Sequence, residues 1–360
     1  MLSEKKLLPA IFAPIATGII GLLALAWQGS FARLLADDYY HYFLLHNNEN
    51  LFQSIVEKYT LANNRYTTLF FFQLSEWIGV QWMPALMIAL WAFSMYWLLR
   101  AAIFNTPPSN SPRKRGENGS SPVKRGRKGS VLSLSKGGGI ALASAVLIAF
   151  FSILQAPNRY QSVYWISSSV THFFPLPLYT LLLAWIFNII NTKNLTGLKD
   201  LSGFALPIFI LSYFIGGLSE SSAALNFTVM VLLASFLWLK DKQTPPSNSP
   251  RKRGENGSSP VKRGRLGGGI YLFLALSALA NLAALLTMAL APANAMRTDG
   301  TPLPFTDFIF RLLKYPLEFM LNTFKTLPLP TIATFALGFL IFGIALEKRP
   351  KTKFLLGALL

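Results

Sequence analysis

Residues 270–290, IYLFLALSALANLAALLTMAL, run without a charged side chain. As an α-helix this stretch is about 31 Å long, the thickness of a bilayer's hydrocarbon core at roughly 30 Å. Lipid offers the backbone no hydrogen-bond partner, so such a run crosses as a helix. Similar apolar runs occur at 8–28, 82–104, 139–156, 168–190, 204–218, 223–239 and 328–346. The sequence therefore predicts an all-α polytopic membrane protein with about eight transmembrane helices, forming one membrane domain over residues 1–360. Composition agrees: mean hydropathy is +0.42, and 13% of residues are charged, against roughly 25% in soluble domains. The chain has no cysteine, which excludes thiol catalysis, disulfides and cysteine-held metal clusters.

Charge is distributed unevenly. Residues 106–127, TPPSNSPRKRGENGSSPVKRGR, recur letter for letter at 244–265, and the two copies supply +10 of the formal +18. Structural repeats keep spacing while their letters diverge, so these are inserts, best explained by recent in-frame spread of a mobile DNA repeat. Rich in Pro, Ser, Gly and Arg, the insert regions 106–136 and 244–266 are expected to be disordered loops. They carry no aromatic residue to stack on bases, so no nucleic-acid partner is expected.

With the N-terminus in the cytoplasm, the inner face collects 25 of the 33 Lys and Arg, the asymmetry of the positive-inside rule. Lys5 and Lys6 ahead of the first run mimic a signal peptide, but no convincing cleavage site follows, so the run reads as an anchor. Residues 29–81 then form a first extracytoplasmic loop with interfacial helices. Within it, 66–80 is too short to span and carries Gln73 and Glu76, so it reads as interfacial or re-entrant. Residues 291–327 form a second outer loop, in which 303–326 reads as an amphipathic surface helix. The apolar restart at Phe354–Leu360 is expected to mark a truncated member of a longer family.

Polar residues gather on the outer face: Asp37 and Asp38, Arg65, Arg159, Trp165 to His172, Glu220, and Asn294 to Arg297. Groups of this kind are costly near lipid and usually functional. Adjacent carboxylates can supply a general base or bind a divalent cation, Mg or Mn, and their mutual repulsion raises the pKa of one of them.

The ordered set Asp37-Asp38, Asn63-Asn64-Arg65, Trp165 to Ser169, Ser219-Glu220, and Ala291-Pro292-Ala293-Asn294 with Arg297 resembles the integral-membrane glycosyltransferases of the GT-C class. The likeness is to a poorly characterised bacterial group with an Asp-Asp motif in its first loop, and covers roughly residues 8–300. Where that group has glycine, this chain has Asn64, Ser168 and Ala293, and His172 stands near a usual aromatic. The resemblance implies a GT-C-like fold and transfer of a sugar from a polyprenyl-phosphate donor to a lipid, glycan or protein acceptor. It also implies a bacterial inner (plasma) membrane and membrane lipids as surroundings. Asp37, Asp38 and Glu220 would be catalytic, with Asp37 and Asp38 also the possible metal ligands. Arg65, Arg297 and His172 would bind the donor phosphate; Asn64, Trp165, Ser169 and Asn294 would bind substrate. The competing readings are a transporter or lipid flippase, which needs polar or broken segments at the midplane, and an inactive pseudoenzyme.

Overall fold

The computed structural model describes residues 4–104, 136–156, 158–192, 198–243, 267–297, 305–329, 332 and 336. Both inserts, and the expected span at 328–346 apart from four residues, lie outside the described residues. Among the described residues the regular structure is all helical, with no strand. In chain order the helices are α1 (Glu4–Gly29), α2 (Asp37–Asn47), α3 (Leu51–Leu61), α4 (Thr68–Ile78), α5 (Met83–Leu99), α6 (Lys136–Leu154) and α7 (Ile166–His172). They continue as α8 (Pro175–Thr192), α9 (Leu198–Gly216), α10 (Glu220–Gln243), α11 (Gly267–Ala289), α12 (Ala293–Arg297) and α13 (Phe305–Thr326).

Among the described residues, five stretches are long and apolar enough to cross a membrane: Phe12–Gly29, Val80–Ala102, Ile166–Ile190, Glu220–Leu239 and Gly269–Ala289. Gly138–Leu154 and Ser202–Gly216 are shorter apolar helices. Helix α1 packs on α6 where Gly18 meets Val146 and Gly21 meets the Phe150 ring, the close approach that small residues permit between apolar helices. Helix α5 packs on α6 and α8, and α11 packs between α9 and α10. Polar pairs tie the second group: Ser212 Oγ donates to Ser277 Oγ at 2.9 Å, Tyr213 Oη meets Thr287 Oγ1 at 2.9 Å, and Tyr179 bonds Asn281. Inside lipid such groups have no water to return to, so they pair helix to helix.

Two expectations change in detail. The single span expected at 168–190 is two helices, α7 and α8, broken at Phe173-Phe174. Pro175 and Pro177 bring no N–H and their rings oppose the preceding turn, so the Phe173 and Phe174 N–H groups both fall on the Ser169 carbonyl at 2.9 Å. The 66–80 segment contains α4, whose 11 residues reach about 16 Å, half a hydrocarbon core; it turns at Gly79, whose φ of 89° favours glycine.

The first loop thus holds α2, α3 and α4, and their polarity is inside out. Tyr39, Phe43, Phe52, Val56 and Trp77 are exposed, while Asp38, His41, Ser54 and Lys58 are buried. In water that arrangement would be unstable; at a membrane surface the apolar side meets lipid and the polar side turns to protein. The helices are fastened across the loop: Tyr42 Oη meets Ser75 Oγ at 2.7 Å, His46 Nε2 meets Glu76 Oε1 at 2.8 Å, and the Asn50 side chain caps α3 by accepting from the Gln53 N–H. Helix α13 matches the amphipathic reading of 303–326, presenting Phe310, Leu317, Leu321 and Phe324 to the surroundings, with Lys314 5.7 Å from the Phe310 ring centre.

Candidate functional site

Consecutive carboxylates on a helix point about 100° apart, and α2 separates its two accordingly: Asp37 is exposed, Asp38 fully buried. Asp38 Oδ2 accepts the Leu35 N–H at 2.9 Å, and Oδ1 accepts the Ser167 N–H at 2.8 Å in the first turn of α7. Ala36, within the turn that the Leu35 bond closes, has φ 41°, a strained conformation for a side-chain-bearing residue. Burial pushes the Asp38 carboxyl up to about 6, with the Asp37 charge adding to the rise and the two N–H groups opposing it. The Trp165 indole lies near enough to favour the charged form, yet its Nε1 falls short of hydrogen-bond geometry.

The second cluster joins distant segments. Arg65 Nε donates to Glu220 Oε2 at 3.1 Å, linking the first loop to the start of α10. This is its one side-chain bond among the described residues, and the side chain is 25% exposed, so both terminal guanidinium nitrogens remain open to an anion. An Asx turn in which the Arg65 N–H donates to Asn63 Oδ1 at 3.1 Å sets that backbone. Asn64 donates to the Met288 carbonyl at 3.3 Å, and Asn294 donates to the same carbonyl at 2.7 Å, closing the end of α11. Tyr59 Oη adds a bond to the Thr287 carbonyl at 2.6 Å. His172 is exposed and within electrostatic reach of Arg65 and Glu220.

Four of the five sequence motifs are therefore joined pairwise by hydrogen bonds, and the fifth, Ala291 to Asn294, hangs on the Met288 carbonyl with Asn64. Ser169, expected to bind substrate, is fully buried and bonds back to the Ile166 carbonyl at 3.1 Å; it shapes α7. Arg297 ends α12, and its side chain lies outside the described residues.

As arranged, Asp37 and Asp38 do not present both carboxylates to one point: Asp37 is exposed, while each oxygen of buried Asp38 accepts a backbone N–H. A divalent cation held by the pair would draw on exposed Asp37 first.

Sequence reading missed two residues at the centre. His41, three positions after Asp38, is buried with its ring 4.3 Å from that of Phe72 and its Nε2 3.4 Å from Ser167 Oγ. Burial, then the charges of Lys58 and Arg65, drive its pKa well below the ordinary range, so it is neutral. Lys58 is almost wholly enclosed and donates to Thr68 Oγ1, which in turn donates to the Arg65 carbonyl at 2.9 Å. The available signal was spacing: Asp38 and His41 at i, i+3, and Ser54 and Lys58 at i, i+4, share a helix face. An open cleft of about 490 Å³ lies beside this region, lined by Ser30, Ala32, Arg33, Leu34, Val80 and Gln81; it holds none of the candidate residues.

No protein-family model, curated protein or solved structure matches this chain.

Proposed function

We propose that the chain is a membrane glycosyltransferase of GT-C type. Eight crossings with a cytoplasmic N-terminus in a bacterial inner membrane would set its site on the extracytoplasmic face. The reaction would move a sugar from a polyprenyl-phosphate donor to a lipid, glycan or protein acceptor. One observation carries this reading: residues far apart in the chain are paired by hydrogen bonds in two clusters, Asp38 with Ser167 in one, and Arg65 with Glu220 in the other, where Asn64 and Asn294 share the Met288 carbonyl.

The chemistry suits the arrangement. Glycosyl transfer needs a base for the acceptor hydroxyl and positive charge for the departing phosphate. Exposed Asp37 takes the acceptor proton as the acceptor oxygen bonds to the anomeric carbon. The bond from that carbon to the phosphate oxygen breaks, and the terminal nitrogens of Arg65 receive the polyprenyl phosphate in the bidentate manner guanidinium favours. Asp38 is a positioning residue, fixing α7 against α2. Glu220 holds Arg65 in place, and His172, within electrostatic reach of both, would add to the phosphate side of the site. A transporter is less well supported, because the polar groups of α8, α9 and α11 are closed on one another.

The test uses the full chain in proteoliposomes supplied with synthetic polyprenyl-phosphoryl hexoses and a bacterial envelope extract as acceptor. Release of polyprenyl phosphate is expected, falling about 10²- to 10⁴-fold in Asp37→Asn, the usual worth of a general base. Thr60→Ala, a half-buried hydroxyl on α3 that bonds only its own helix's carbonyls, should leave it unchanged. Counterflow of intact donor without release would instead identify a transporter.

A further inference from the structure

We infer that residues 64–67 and the 216–220 turn form the two walls of a subsite for the neutral, hydroxyl-bearing ring of the sugar, held shut in this structure. The inference rests on the glycosyltransferase reading and names the part of the site that reads the sugar. Three side-chain atoms at this junction are buried without a hydrogen-bond partner: Asn64 Oδ1, Thr67 Oγ1 and Ser219 Oγ. Their residues are 6%, 2% and 0% exposed. A buried polar atom left unpaired costs as much as a lost hydrogen bond or more, so such atoms are rarely retained without use. Here three fall on two segments that press directly on each other. A Cβ built on Gly217 would lie 2.4 Å from the Tyr66 ring and 2.9 Å from Thr67 Cγ2, and Arg65 Nε reaches Glu220 Oε2 at 3.1 Å across the same seam.

The chemistry of the walls selects the ligand class. Asn64 Oδ1 accepts, the Thr67 and Ser219 hydroxyls donate or accept, and Glu220 accepts. A pyranose hydroxyl both donates and accepts, and neighbouring hydroxyls on a ring present alternating needs that this mixed set meets. A phosphate offers only acceptors and negative charge, so Asn64 Oδ1 and the Glu220 carboxylate would oppose it here; it belongs at the terminal nitrogens of Arg65. The seam therefore divides the donor, with the sugar between the walls and the phosphate at the guanidinium. Entry requires the 216–219 turn to lift away from residues 64–67. The unpaired atoms lower the cost of that opening, because separation gives them partners that the shut seam denies.

The experiment uses the full chain in lipid nanodiscs, with methyl glucopyranoside, methyl galactopyranoside and methyl mannopyranoside as probes read by saturation-transfer NMR. At least one methyl hexoside should bind, and Thr67→Val and Ser219→Ala should each weaken it about tenfold, the loss of a single hydrogen bond. Both variants should keep or raise the thermal midpoint without ligand, since each replaces an unpaired hydroxyl with an apolar group. Binding unchanged in both variants, no binding of any probe by folded protein, or a lowered unliganded midpoint, which would mark a structural water site, each overturns the subsite. The two readings fail separately. Hexoside binding lost in the variants, with no release of polyprenyl phosphate by the wild type, keeps the subsite and removes the transferase. Release lost in Asp37→Asn yet unaltered in Thr67→Val and Ser219→Ala does the reverse.

Discussion

Asp37 and Asp38 are adjacent letters with opposite physical situations, and the difference fixes what each can do. A base that takes a proton from an incoming hydroxyl must be reachable, which describes Asp37. Asp38 spends both oxygens on the Leu35 and Ser167 N–H groups, so it holds structure. Its pKa makes a signed prediction. The carboxyl is raised from 3.8 to about 6 by burial, so between those values the folded chain keeps a proton that the unfolded chain has released. Stability from this group is greatest below pH about 4 and is lost as pH rises to about 6, a swing on the order of 3 kcal/mol. Asp38→Asn is neutral throughout and, by placing an amide N–H₂ against one of the two backbone donors, loses a hydrogen bond worth about 1–3 kcal/mol when buried. Thermal unfolding in nanodiscs from pH 4 to 7 should therefore show wild type above the variant at pH 4, with the gap closing or reversing by pH 7. A gap that widens with pH would mean that Asp38 is charged and stabilised by its N–H donors.

At the scale of elements, the turn between α9 and α10 is built to accept a ring. Tyr66 is pinned by its hydroxyl donating to the Tyr213 carbonyl at 3.0 Å and by the Tyr213 ring at 5.3 Å, so it cannot yield to a methyl group at Gly217. Gly217→Ala should lower stability by about 1–3 kcal/mol, the usual cost of overpacking. Gly203→Ala is the matched control: nothing lies within 4 Å of a Cβ there, and in the interior of α9 alanine should gain up to about 1 kcal/mol of helix propensity. Equal midpoint shifts for the two variants would show that the ring contact carries no weight. Hydropathy made the long helices legible because lipid imposes one simple rule on them. The break between α7 and α8 was masked by the same rule, since Phe173 to Leu178 stay apolar on both sides of the kink and Pro175 and Pro177 were its signs. Inverted helices were harder still. A lysine reads as a solvated residue by default, and Lys58 is enclosed because α3 turns Phe52 and Val56 outward instead.

For the whole molecule the candidate site was legible as motifs and illegible as contacts. The Asp-Asp, Asn-Asn-Arg and Ser-Glu pairs stood out as polar islands at the ends of apolar runs. The junction partners Thr67 and Ser219 look like any loop hydroxyls until the fold brings their segments together across more than a hundred and fifty positions. That convergence constrains topology through parity. Asp38 bonds α7 and Arg65 bonds the start of α10, so the first loop, the start of α7 and the start of α10 share one side. In the proposed topology the apolar helices α5, α6, α8 and α9 each cross in turn and α4 does not, since one more crossing would carry the later elements to the other side. The absence of cysteine from the sequence permits a direct reading with single cysteines at Tyr39, Ser120 and Ser221. Tyr39 and Ser221 are exposed, and Ser120 lies in the first insert. In intact cells, an impermeant thiol reagent should label Tyr39→Cys and Ser221→Cys, and label Ser120→Cys only after permeabilisation. Labelling of Tyr39→Cys and Ser221→Cys from opposite sides is incompatible with the 3.1 Å Arg65 to Glu220 contact and would dismantle the site. Labelling of Ser120→Cys in intact cells would place the basic inserts outside, against the charge asymmetry, and remove the proposed orientation.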